Sequence, residues 1–135
     1  MTYYLDANII LRIILQDNLA QTQQARHTLA KLVAEECTLL IEPLIIAEVL
    51  FVACGPRYTY SRKEIVQALL SLLEHEHITT GFDQEVQYAL ELFINHKKDF
   101  PDCYLTAKAR QESGKVVSFD RDFDELDQIV RLEPS

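Results

Sequence analysis

Two short apolar runs constrain this chain most: YYLD at residues 3–6 and VVSFD at 116–120 each end on an aspartate and lead into a helix-forming segment. Between them, apolar stretches of strand length alternate with longer stretches of helical spacing. The pattern predicts a strand over 3–6, an apolar helix over 8–16, and a helix over 19–36 whose Ala25, Leu29, Leu32 and Val33 share one half-buried face. CTLLI is a strand, and the next helix, within 42–56, is opened by Pro43 and stopped by Gly55-Pro56. Ser61 and Glu64 make a capping box for a helix to about residue 74, and HITTGF is a further strand. An amphipathic helix covers 83–98, another runs from near Pro101 to Gly114, KVVSFD is a strand, and a short helix and strand complete the chain. Strands alternating with helices predict an α/β fold with a parallel sheet and helices on both faces. Ligands of such sheets bind beyond the carboxyl ends of the strands, where Asp6 and Asp120 fall.

At 135 residues the chain is expected to form a single domain, 1–135, burying roughly two-thirds of its unfolded surface without staples. Its longest apolar stretches are interrupted by Asp6, Arg12 or Glu48 and fall short of the ~20 residues of a membrane span. No basic region precedes an apolar one at the start, so no signal peptide is expected. Cys37, Cys54 and Cys103 are scattered, odd in number and lack C-x-x-C spacing, which fits reduced thiols in a cytoplasm. The net charge of −8 speaks against non-specific nucleic-acid binding unless some of the acids are gathered around divalent cations.

The acids carry different alternatives. Glu48 has apolar Leu44, Ile45, Phe51 and Val52 at helical spacing, which predicts a buried face where a glutamate is functional or paired, with Arg12 as the structural partner. Asp6 or Asn8 suits a helix N-cap. Asp102 suits a first helical turn, and Asp99 with Asp102 mimics a capping box, although Pro101 disfavours helical geometry at Phe100. In FDRDFDEL only Asp120 stands at a strand end; Asp122 and Asp124 read as solvated turn residues. Two unit charges ~5 Å apart repel by about 3 kcal/mol at an effective dielectric of 20, so four converging carboxylates require a cation. Carboxylate oxygens with no His or Cys beside them select Mg²⁺ or Mn²⁺.

YYLDAN, the mid-helix glutamate of IIAEVL, DFPDCYLTAKA and VVSFDRDF follow one another in an order that resembles the PIN domain, most closely the VapC-type toxins of bacterial toxin–antitoxin pairs. The resemblance spans essentially the whole chain. It implies a three-layer sandwich with a central, mainly parallel sheet, and a metal-dependent endoribonuclease. Asp6, Glu48, Asp102 and Asp120 would hold one or two Mg²⁺ or Mn²⁺ ions, with Asp99 as an accessory acid. Asn8 and Ser118 match small polar positions beside the first and last acids. The resemblance also implies a homodimer, and an antitoxin docking near the acids through a basic side chain. Ala7 departs from the pattern: members usually carry Thr or Ser there, and its loss removes a supporting hydroxyl but no ligand.

In this chemistry the ion acidifies a water that attacks a phosphodiester phosphorus and stabilises the leaving oxygen. Arg12, Arg121 or Lys98 would steady the phosphate, and the sequence does not choose among them. PRYTYSRK offers Arg57, Arg62 and Lys63 to RNA phosphates and Tyr58 and Tyr60 as stacking surfaces, or is a solvated loop with its tyrosines turned inward. Three other readings stand beside this one: a PIN-type nuclease in RNA processing or on DNA, a hydrolase with a nucleophilic aspartate, and a non-catalytic interaction domain whose acids cap helices. The second normally shows D-x-D-x-T, where this chain has Asp6-Ala7-Asn8.

Overall fold

The computed structural model describes residues 1–126 and 130–135, which form two compact units, Met1–Phe82 and Asp83–Ser135. Both are α/β in build, with parallel strands joined through helices.

In the first unit, β1 (Thr2–Tyr4) leads through Leu5 and Asp6 into α1 (Ala7–Leu15). Asp6 has extended backbone, φ −78° and ψ 154°, and its Oδ1 accepts from the Asn8 amide at 3.3 Å. That bond satisfies one of the four amides a helix start leaves unpaired. Gln16 ends the helix in the left-handed region at φ 53°. The polar helix α2 (Leu19–Ala34) starts on Asn18, whose Oδ1 accepts from the Gln21 amide at 3.1 Å. After β2 (Thr38–Leu40) comes α3 (Pro43–Ala53), and α4 (Arg62–Leu73) opens on the expected capping box. There the Ser61 hydroxyl accepts from the Glu64 amide at 3.2 Å while Glu64 accepts from the Ser61 amide at 3.3 Å. β3 (Ile78–Thr79) is shorter than HITTGF promised, because Gly81 at φ 79° turns the chain away. The strands lie in the order β1-β2-β3, all parallel, with Tyr3 opposite Leu39 and Leu39 opposite Ile78. α1 packs on α2, α3 and α4, and Ile10, Leu39, Ile46, Leu50, Ile65 and Leu69 are fully buried.

One expectation fails on α3. Glu48 lies on an exposed face, with Leu44 and Phe51 76% and 82% exposed beside it. The stripe that packs inward is Ile46, Val49, Leu50 and Ala53. Apart from Glu48 this helix is apolar on every side, so apolar neighbours at helical spacing did not identify its buried face.

The second unit contains α5 (Asp83–Asn95), α6 (Phe100–Gln111), β4 (Lys115–Val117), a 3₁₀ turn (Arg121–Glu125) and β5 (Val130–Leu132). β4 and β5 pair in parallel with Val116 opposite Arg131. α5 packs along α6, and Val116, Phe123 and Leu126 form a small core under Ala109. α6 begins at Phe100, directly before Pro101, against the expected bias away from helix at that residue. A proline in the first turn is tolerated because its missing N–H is one the helix would leave unpaired. Asp99 occupies the cap position, but its side chain makes no cap bond. α5 stops at Asn95 and not at 98, which leaves Lys98 in the connection to α6.

The three cysteines are free; burial pushes the Cys54 thiol pKa up. Among the described residues no helix is long and apolar enough to cross a membrane.

Candidate active site

In the first unit Asp6 stands at the carboxyl end of β1 with its carboxylate exposed, held by the same Asn8 amide that it caps. It lines a cavity of about 330 Å³ together with Leu40 and Glu42. Glu42 follows β2 as Asp6 follows β1, and it sits at the N-cap position of α3 without a side-chain cap bond. CTLLIE thus repeats the pattern of a strand ending on an acid, a signal present in the sequence and overlooked there. Ala7 is buried directly after Asp6.

Arg12 does not pair with Glu48. Its Nη1 donates to Asp17 Oδ1 at 2.6 Å and its Nε to Gln21 Oε1 at 2.7 Å. Asp17 in turn accepts from the Tyr58 hydroxyl at 3.0 Å, and these bonds, Tyr58 foremost, hold its carboxyl below the usual range. Tyr58 is therefore half-buried and tied, while Tyr60 stays exposed 6.4 Å away, ring centre to ring centre. Arg57 is exposed over the Tyr58 ring at 5.8 Å. Arg62 opens α4 half-buried, and Lys63 is exposed.

In the second unit three carboxylates meet at one ammonium. Lys98 Nζ lies 2.5 Å from Asp120 Oδ2, 3.5 Å from Asp102 Oδ2 and 3.6 Å from Asp122 Oδ2. The hydrogen bond to Asp120, with the pull of the three charges, raises the Lys98 pKa, and the same bond lowers that of Asp120. Asp120 is fixed from two sides: its Oδ1 accepts from the Asp122 amide at 2.9 Å, and its own amide donates to the Ser118 hydroxyl at 2.9 Å. Thus the small polar residue beside the last acid positions that acid's backbone. Asp122, read from sequence as a solvated turn residue, joins the group because the 3₁₀ turn brings it round to Lys98. Arg121 points elsewhere, its Nε 3.9 Å from Glu133.

All the donors here are carboxylate oxygens, the set a hard divalent cation takes, and they already enclose one positive charge. That charge is an ammonium. Among the described residues no three His, Cys, Asp or Glu side chains form a ready metal cage.

A family model for the PIN domain matches residues 3–129. No curated protein matches the chain. Among solved structures, the crystal structure of VapBC2 from Rickettsia felis bound to a DNA fragment from their promoter is similar at 17% identity, covering 98% of each chain, with a TM-score of 0.41.

Proposed function

Because the chain belongs to the PIN domain family, whose members are in general nucleases, we propose that residues 1–135 act as one catalytic domain, a metal-dependent endoribonuclease and the toxin of a toxin–antitoxin pair. The observation that carries this reading is the convergence of Asp102, Asp120 and Asp122 on a single cationic centre within the matched span.

Asp6, Glu48, Asp102 and Asp120 would hold Mg²⁺ or Mn²⁺, with Asp99 as an accessory acid. A bound ion supplies Lewis acidity, lowering the pKa of the attacking water and offsetting charge on the leaving oxygen. The chain's own residues do the positioning. Asn8 fixes the Asp6 carboxylate through its amide, and Ser118 fixes the backbone of Asp120. With Ala7 in place of a hydroxyl residue, that amide carries the support of the first acid. Arg57 and Lys63, both exposed, meet RNA phosphates beside the Tyr60 ring, and Arg62 opens the adjoining helix. Arg12 reaches RNA only by leaving Asp17 and Gln21, so its first role is to brace α1 against α2. A cytoplasmic setting fits the free thiols. A second copy would cover the exposed apolar face of α3, and an antitoxin would present a basic side chain to the carboxylates.

One observation favours the non-catalytic alternative: Asp6 and Asp120 both accept backbone amides at helix starts, as pure caps would. RNA cleavage by the purified protein with Mg²⁺ or Mn²⁺, beside Asp6→Asn and an EDTA control, separates the two. Cleavage abolished by both controls supports the nuclease. Absence of both cleavage and Mn²⁺ binding leaves the acids as caps and ion-pair partners.

A further inference from the structure

We propose that Lys98 is a resident counter-cation of the Asp102, Asp120 and Asp122 carboxylates, seated among them when no divalent ion is bound and displaced when one arrives. Lys98 would thereby set how much free ion the protein needs. The inference rests on the metal-centre reading above.

The geometry is that of a filled seat. Lys98 Nζ lies within 3.6 Å of one oxygen of each acid, and the Phe123 ring, 5.5 Å from the nitrogen, closes another side. The Lys98 side chain is only 16% exposed, whereas the Asp122 side chain it reaches is 66% exposed. The lysine is thus drawn inward to carboxylates that still face water. The ammonium donates a hydrogen bond to Asp120 and faces Asp102 and Asp122 at ion-pair distance. A divalent ion needs the same oxygens, and a like charge at that distance repels it. Removing the lysine both vacates the seat and takes the local charge from −2 to −3, and each change favours the ion. A seat filled for all but a tenth to a hundredth of the time raises the apparent Kd for the ion about ten- to a hundredfold.

The test is calorimetric titration of the full chain with Mn²⁺, for the wild type, Lys98→Met and Lys98→Arg, with a metal-free melting curve for each. Lys98→Met is expected to bind Mn²⁺ at least about tenfold more tightly, to melt lower than wild type without metal at low salt, and to gain more from Mn²⁺. Lys98→Arg keeps the charge and is expected to bind no more tightly than wild type. Equal or weaker binding by Lys98→Met overturns the proposal while leaving the metal centre intact. Absence of Mn²⁺ binding in all three variants overturns both readings. If Lys98→Met does not fold, Lys98→Gln is titrated in its place with the same expectation.

Discussion

Arg131 grips Asp124 with two arms of its guanidinium, Nε to Oδ1 at 3.0 Å and Nη2 to Oδ2 at 3.2 Å, while Nη1 donates to the Ser118 carbonyl at 3.0 Å. One side chain on β5 thus ties the 3₁₀ turn to the residue whose hydroxyl holds Asp120. The Arg131 hydrogen bond keeps the Asp124 carboxyl below the usual range. An acid with a depressed pKa contributes stability above its unfolded value and loses that contribution as pH falls through its folded value. Arg131→Met is therefore expected to lower Tm by a constant amount above about pH 5, with the gap to wild type closing below about pH 4. Melting curves across that range check it; a gap that widens in acid contradicts the assignment.

Asp6→Asn separates capping from chemistry. Asparagine caps a helix about as well as aspartate, so stability should change by less than about 0.5 kcal/mol, whereas Asp6→Ala should cost about 1 kcal/mol. On the proposed ligand role, RNA cleavage should fall at least about tenfold in both, since loss of a ligand costs no less than loss of its supporting shell. Chemical denaturation beside a cleavage assay reads both quantities.

Glu48→Gln makes a sharper test of α3 than the sequence alone allowed. With the side chain exposed, the substitution should leave stability within about 0.5 kcal/mol of wild type. A ligand role predicts that cleavage and Mn²⁺ affinity still fall. Strong destabilisation would instead mean that Glu48 is a buried partner, as its apolar neighbours first implied.

Phe51 is 82% exposed, so Phe51→Glu should cost the fold little. If a second copy covers this face, the substitution converts a dimer to a monomer in sedimentation at matched concentration. An unchanged sedimentation coefficient would place any dimer elsewhere.

The fold was legible where the chain is punctuated. Pro43, the Gly55-Pro56 stop and the Ser61–Glu64 box placed their elements because each acts through local backbone chemistry. The strands before Asp6 and Asp120, by contrast, stop at Tyr4 and Val117, and the two aspartates cap the helical elements that follow. The site was legible only in part. Glu48 was given the wrong face because α3 is apolar nearly all round, and Arg12 was given the wrong partner because Asp17, five residues on, competes for it. Asp122 is the solvated turn acid the sequence suggests, and the 3₁₀ turn adds an ion pair with Lys98 that no local pattern announces. Lys98 was visible only as a candidate for phosphate, since its meeting with Asp120 spans 22 positions and a connection with no periodicity.

Every strand pairing among the described residues closes inside its own unit, and the β1-β2-β3 sheet is complete at Thr79. During synthesis a chain that has emerged only as far as Phe82 already contains all the strands of its first sheet. On the proposed ligand set it also carries Asp6 and Glu48, but neither Asp102 nor Asp120. Units generally fold as they leave the ribosome, the N-terminal one first. On that proposed set, a chain made only as far as Phe82 carries two of the four acids, and the other two are made only once synthesis has passed Asp120.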